Sequence, residues 1–331
     1  MHSADKEKIE GLIEIFNQNY AITRLYSSLL EVCPTVIKPE YVQELCRDGL
    51  DREGALVALL SEIFGIDMER SLSDRILVRE YLYKSVRVLN PKRYTENKYY
   101  RNIKIPSIKD GNWELKWETY PAYRAFIADD MILKDNFREI PPLGFFPEEF
   151  RFPAVLEDGN EWMTLTPVDL DTSEEAIEKS RGRVLTLGLG LGYFTYMASE
   201  KDEVESVTVV ELSEDVIRLF KKHILPQFPN RDKVRIIHAD AIKFVEEGMQ
   251  GEKYDFVFAD TWRDSSDGEP MWERIKRCEK SYPDTEFSYW IENHIISRKR
   301  ALMYEELRDR LDRGETISYR EAVKMLTEFG F

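Results

Sequence analysis

Only three cysteines occur in the 331 residues of this chain, Cys33, Cys46 and Cys278, and they form neither a C-x-x-C pair nor a zinc spacing. So sparse and odd a set excludes a disulfide-stapled scaffold and predicts a reducing, cytoplasmic location. Positive charge is also short: 47 Lys and Arg against 62 Asp and Glu leave a net charge of −15. Nucleic acids and anionic membranes require a basic, phosphate-neutralising face. The expected partner is therefore a small-molecule substrate, with no nucleic acid and no membrane. Long hydrophobic runs are missing as well. The longest mostly apolar stretch, Val184–Ala198, is shorter than the roughly 20 residues of a spanning helix, and three glycines interrupt it. Met1–Leu12 mixes charged and apolar residues and has no signal-peptide core. There is no Walker loop, no G-x-S-x-G elbow and no H-E-x-x-H. Asp264, Asp267 and Glu269 match no calcium loop, so no metal is expected.

What is present centres on Val184-Leu185-Thr186-Leu187-Gly188-Leu189-Gly190-Leu191-Gly192-Tyr193-Phe194. Its first half is a run of apolar and β-branched residues, the pattern of a strand buried on both faces of a parallel sheet. Its second half places glycine at every second position and passes into Tyr193–Ser199, which continues as a helix. Glycine lets a backbone approach a ligand closely and take positive φ, and a helix start adds free N–H groups and a positive dipole end. Three further apolar runs follow, each ending on a carboxylate: Val207–Val210 at Glu211, Val234–His238 at Asp240, and Tyr254–Ala259 at Asp260. In an open parallel sheet the ligand crevice lies beyond the carboxyl ends of the strands. Glu211, 23 residues after Gly188, suits bidentate hydrogen bonding to the hydroxyls of a ribose. A dinucleotide fingerprint needs its third glycine at position 193, where Tyr193 stands. This disfavours a dehydrogenase.

Gly188-x-Gly190-x-Gly192 resembles the first motif of class I S-adenosylmethionine-dependent methyltransferases, and the resemblance covers roughly residues 172–300. Within that superfamily the chain is most similar to the spermidine-synthase-like branch. Val210-Glu211-Leu212, His238-Ala239-Asp240-Ala241 and Tyr254–Asp260 read like its second, third and fourth motifs. The chain departs from that branch in two places. Gly-Leu-Gly-Leu-Gly replaces Gly-Gly-Gly-Asp-Gly, and Asp264-Ser265-Ser266-Asp267-Gly268 comes four residues after Asp260 rather than directly after the fourth strand. The resemblance implies a Rossmann-like, doubly wound parallel α/β sheet that binds S-adenosyl-L-methionine. It assigns Gly188, Leu189, Gly190, Gly192 and Tyr193 to the cofactor loop, Glu211 and Leu212 to the ribose, and Asp240 and Ala241 to the adenine edge. Asp260 then faces the methyl donor as the catalytic residue, with Trp262 and Tyr193 as candidate walls of the substrate pocket. The implied activity is methyl transfer to a small molecule or other non-nucleic-acid acceptor. Two alternatives stay open: aminopropyl transfer from the decarboxylated cofactor, and a non-catalytic cofactor-binding module.

The remainder divides into a helical domain at 1–90, a β-rich linker or lid at 91–170, and the cofactor domain at 171–331. Helices are expected over Asp5–Leu30, from Pro39 to Gly49, over Arg52–Phe64 with Asp51 as N-cap, and from Met68 to Leu89. They serve either as an accessory or homo-oligomerisation domain or as a substrate lid. Ile103–Ile105 and Trp113–Glu118 alternate across Lys109-Asp110-Gly111, a hairpin signal. Tyr123–Asp130 and Glu161–Thr166 are further candidate strands. Phe145, Phe146, Phe150 and Phe152, among prolines, read as an irregular loop that either fills the core or roofs the site. Thr172-Ser173-Glu174-Glu175 has capping-box spacing. It would open a helix of the kind that closes over the cofactor in class I methyltransferases, with Met163–Asp171 as the near wall and Asp169 a candidate for the cofactor's amino group. After Asp260 a helix from Pro270 to Lys280, a strand at Glu286–Glu292 and helices at Asn293–Arg313 and Tyr319–Phe329 are expected. No sixth and seventh strands are visible; either the sheet is shortened or the strands at 99–130 supply its edge.

Overall fold

The computed structural model describes residues 3–329, which form two compact units. Unit 1 comprises Met1–Asn90, Tyr120–Glu149 and Asn293–Gly330, and unit 2 comprises Pro91–Thr119 and Phe150–Glu292. The expected segments 91–170 and 171–331 are thus each shared between units. Long-range packing that no local pattern announces draws 120–149 and 293–330 to the N-terminal helices. Among the described residues no helix is long and apolar enough to cross a membrane.

In unit 1, helices span Ser3–Val32, Pro39–Arg47 and Arg52–Ile63. Asp51 caps the third by accepting the Gly54 N–H at 2.7 Å, and Pro39 opens the second, where a missing N–H costs nothing. The stretch expected as one helix to Leu89 breaks up instead. Helix Leu72–Leu77 passes into a π-turn, Val78–Leu82, and the chain then becomes a strand, Val86–Val88. That strand pairs in parallel with Leu143–Phe145; β-branched Val86 and Val88 suit it, and its partner is far away in sequence. Tyr123–Asp130 gives only the two-residue strand Phe126–Ile127, because Tyr123 takes φ 57°. The C-terminal helices Glu292–Asp312 and Tyr319–Thr327 bury Leu307 and Leu326, with Ile317 of their connection, against Leu12 and Phe16 of the first helix, whose Phe16 ring stacks on Tyr304 at 4.6 Å.

Unit 2 holds two sheets. One is antiparallel, Ile108–Asp110, Trp113–Tyr120, Phe150–Glu157 and Asn160–Thr164. Its hairpin turns at Gly111, φ 66°, but the first strand begins at Ile108 and not at Ile103. The Ile103 N–H closes the preceding helix onto Tyr99, and Pro106 has no N–H to give a ladder. Phe150 and Phe152 are core residues of this unit, and Phe145 and Phe146 are core residues of unit 1.

The other sheet is parallel, with strands β1 (Gly182–Leu187), β2 (Val204–Glu211), β3 (Val234–His238), β4 (Phe256–Ala259) and β5 (Glu286–Tyr289) in the order β3-β2-β1-β4-β5. This is the Rossmann-like, doubly wound order, and it reverses between β1 and β4. Val184, Leu185 and Leu187 on β1 and the whole of Phe256–Ala259 on β4 have no exposed surface, as a sheet covered on both faces requires. The sheet has five strands; the hairpin at 108–120 belongs to the antiparallel sheet and supplies no edge to it. The helices of this part are α1 (Pro167–Lys179), α2 (Tyr193–Ser199), α3 (Glu214–His223), α4 (Ala241–Glu246) and α5 (Ser265–Glu279). Two begin earlier than the sequence suggests. α1 is capped by Thr166, with Asp169 completing the capping box, so Thr172 sits mid-helix bonded back to Val168 O. α5 is capped by Asp264 with Asp267 and carries Pro270 inside it.

Candidate functional site

The reversal point of the sheet brings the first and fourth strand ends into contact. Gly188, directly after β1, has φ 98°, and a Cβ there would stand 1.9 Å from the carbonyl oxygen of Asp260, the residue after β4. Only glycine fits so close an approach at that φ. Gly190 and Gly192 are also left-handed; a Cβ would meet Met163 Sδ at 2.0 Å in the first case and the Phe220 ring at 2.3 Å in the second. Gly192 is the N-cap of α2, whose first residue Tyr193 accepts the Asn97 Nδ2–H at its hydroxyl oxygen, 3.1 Å away.

One narrow cavity collects Gly188, Leu189, Tyr193 and Asp260 of the expected site residues. Met163 and Asp169 also line it, together with Ser173, Thr186 and Thr195, three hydroxyls that the sequence motifs do not point to. Glu211 ends β2 at 6% exposure; its Oε2 accepts the Leu189 N–H at 3.1 Å and its Oε1 the Ser213 N–H at 2.7 Å. The expected neighbours fall elsewhere. Leu212 is 67% exposed. Asp240 caps α4, accepting the Lys243 N–H at 3.0 Å, and Ala241 begins that helix. Trp262 is no wall of this cavity: it packs over Gly268 and donates Nε1 to Trp290 O at 3.2 Å. Asp264, Asp267 and Glu269 gather no metal-binding group among the described residues.

The electrostatics are one-sided. Two carboxylates, Asp169 and Asp260, line the cavity and no Lys or Arg does; the charge of Glu211 also reaches Asp260. Burial, with the charges of Asp169 and Glu211 beside it, pushes the Asp260 carboxyl up to about 8. Asp169 is pushed to about 6 by burial, against hydrogen bonds from the Thr166 N–H and hydroxyl at 2.7 and 2.8 Å. Glu211 is raised as well, because burial outweighs the N–H groups of Ser213, Leu189 and Leu212. Such a cluster favours a cationic ligand, and its Asp260 holds a proton at neutral pH. His238 and His294 have local partners, Leu212 O at 2.9 Å and Asp130 Oδ1 at 2.5 Å.

No curated protein matches the chain. Among solved structures it is similar to a spermidine synthase from Thermotoga maritima, at 15% identity over 46% of this chain and 60% of that one, with a TM-score of 0.30. It is also similar to a SAM-dependent methyltransferase from Agrobacterium tumefaciens, at 21% identity over 34% and 36%, with a TM-score of 0.28. The chain thus spans about three fifths of the length of the spermidine synthase. Residues 174–279, which carry β1 to β4, the glycine turn, Glu211 and Asp260, match the Spermine/spermidine synthase domain family.

Proposed function

We propose that the parallel sheet of unit 2 binds S-adenosyl-L-methionine and that the protein is a cytoplasmic methyltransferase for a small, non-nucleic-acid acceptor. The observation that carries this is the contact of Gly188 with Asp260 at the sheet's reversal point, with Glu211 at the end of the adjoining strand. The residues fit the cofactor chemically. Glu211 offers two acceptor oxygens to a ribose diol, Asp240 and Ala241 flank the end of β3 where an adenine would lie, and the glycine turn has no Cβ in the way. The three clustered carboxylates suit a ligand bearing sulfonium and ammonium charge. When bound, S-adenosylmethionine supplies a methyl group on a leaving group that needs no activation.

The chain's own task is then alignment and proton handling. Positioning of two reactants is worth about 7–11 kcal/mol, and the buried walls, Leu165, Tyr193 and Phe194, exclude water. Asp260 has an affinity for protons matched to neutral pH, as a general base requires. It would hold an ammonium acceptor and take its proton. One observation favours a second reading, aminopropyl transfer: no cation lines the cavity to meet the carboxylate of S-adenosylmethionine, whereas the decarboxylated form has none.

Calorimetry with S-adenosylmethionine, its decarboxylated form, S-adenosylhomocysteine and NAD tests both. The expected order places S-adenosylmethionine and S-adenosylhomocysteine well above NAD. Decarboxylated cofactor bound tenfold or more tightly than S-adenosylmethionine would select aminopropyl transfer; NAD equal to either would sink the assignment of the site.

A further inference from the structure

The opposite end of the same sheet carries a second cleft of the opposite charge. It measures about 540 Å³, within the roughly 300–1,000 Å³ of small-molecule sites. It lies against the N-terminal ends of the strands: Arg183 is near the start of β1, Ser206 near that of β2, Arg235 near that of β3, and Tyr254 precedes β4. From Arg183 to Leu187 the sheet runs four residues, about 13 Å at 3.3 Å per residue, so this cleft is separate from the Glu211–Asp260 end. Four cations, Arg183, Lys233, Arg235 and Lys253, line it against two anions, Asp232 and Glu252. In a chain of net charge −15 that is a local inversion of sign.

The two arginines are held without being used up, while Lys233 gives its amine to Lys201 O at 2.9 Å. Arg235 directs one terminal nitrogen, Nη2, to Glu252 at 2.5 Å, Tyr254 Oη at 3.3 Å and Thr208 Oγ1 at 3.5 Å. Tyr254 and Thr208 are each 4% exposed, so the guanidinium is anchored on buried groups. Among the described residues its Nε and Nη1 have no protein partner. The Arg183 side chain touches Asp255 through Nε alone, at 3.4 Å, and the Lys253 amine has no partner among the described residues. One wall is delivered by an unusual turn. Gly248, Met249, Gln250 and Gly251 take φ 86°, 51°, 56° and 77° in succession, a left-handed course that L-residues other than glycine resist. Met249, 1% exposed, anchors the turn, which sets Glu252 and Lys253 along the cleft.

We propose that this cleft binds a small phosphate-bearing molecule. Two arginine forks with unused N–H edges and a free ammonium match the oxygens of a phosphate or pyrophosphate group, and the half-buried Ser206 hydroxyl adds a donor.

The test is titration calorimetry of pyrophosphate into the full chain at low ionic strength. The native protein is expected to bind, and Arg183→Gln combined with Lys253→Gln should weaken binding by roughly tenfold or more. Both side chains are exposed, so the fold should survive, which a melting curve checks. A control removes the same charge elsewhere, Lys38→Gln with Lys280→Gln, and should leave binding unchanged. No binding to the native chain, or an equal loss in the control, overturns the site. A short oligothymidylate bound more tightly than pyrophosphate overturns the small-molecule assignment in favour of a nucleic acid. S-adenosylhomocysteine affinity should be the same in native and double-variant protein; a parallel loss would overturn the separateness of the two sites.

Discussion

Each unit draws a carboxylate away from bulk solvent, and the two are handled in opposite ways. In unit 1, Glu139 is 5% exposed and meets Ser297 Oγ at 2.7 Å and Arg300 Nη1 at 3.4 Å. Asp130 nearby in sequence caps the helix Glu292–Asp312 by accepting the N–H groups of Asn293 and His294, both at 2.9 Å. In unit 2, Asp260 has two other carboxylates as its electrostatic neighbours and no cation. Burial raises the proton affinity of both Glu139 and Asp260, but only Glu139 is given partners that offset it. A buried acid with a cation and a hydroxyl is a structural joint. A half-buried acid among other acids, at the mouth of a parallel sheet, suits the ligand-facing role proposed for it.

The contrast is broken most directly at Asp260. Asp260→Asn keeps the size and removes the charge. Turnover on an identified acceptor should fall by roughly 10²–10⁴, the share of general acid–base catalysis, while affinity for S-adenosylhomocysteine, which has no sulfonium charge, changes little. Raising the pH should partly rescue the variant if the acceptor is an amine. Affinity lost with turnover intact at saturation would move Asp260 to the cofactor site. The matching change in unit 1 is Arg300→Met, which leaves Glu139 with the Ser297 hydroxyl but no cation. Breaking a buried pair costs about 3–5 kcal/mol, so the urea midpoint should drop substantially, and S-adenosylhomocysteine affinity should stay as it was. An unchanged midpoint would show that Glu139 has solvent enough to do without Arg300.

Unit 2 was the more legible from sequence, for a physical reason. Its strands are short, buried on both faces and continuous in apolar character, so Val184–Leu187, Val207–Val210 and Phe256–Ala259 declare themselves. The polar residues must then wait until the strand ends, which is where Glu211, Asp240 and Asp260 stand. Asp51 and Pro39 likewise marked their helices locally. The start of α1 was misplaced because Thr172-Ser173-Glu174-Glu175 and Thr166-Pro167-Val168-Asp169 both have capping-box spacing; Pro167 at the first helical position was the signal that separates them. What could not be read was pairing at a distance. Nothing local links Val86–Val88 to Leu143–Phe145, or Leu326 to Leu12, since each run is equally compatible with a helix face. The cavity's hydroxyls escaped for the same reason: Ser173, Thr186 and Thr195 come from three elements and share a site only in the fold.

Glu211 sharpens the comparison at smaller scale. Glu211→Ala removes an acceptor of two backbone N–H groups as well as the expected ribose contact. Hydrogen bonds to a charged group are worth roughly 1.5–3 kcal/mol, so S-adenosylhomocysteine binding should weaken about tenfold or more without unfolding the chain. An unchanged dissociation constant would reduce Glu211 to a brace for the glycine turn.

The smallest effect is the most specific to an acid without a partner. The carboxyl of Asp260 keeps its proton to about pH 8 when folded, but an unfolded chain loses it near pH 4. Between those values the folded state binds more protons than the unfolded one, so this residue's contribution to stability is fully present at about pH 4 and is lost as the pH rises towards 8. Asp169 acts in the same sense but only up to about pH 6. Above pH 6 the Asp260 contribution continues beyond that of Asp169, at no more than about 1.4 kcal/mol per pH unit. Asp260→Asn has no such proton to lose. Its melting temperature relative to the native protein should therefore climb from pH 6 to pH 8 and level off beyond. Two melting curves that stay parallel across that range would mean that water or an unseen cation compensates Asp260. In that case its carboxylate would be handled like Glu139 after all, and the distinction between the two acids would fail.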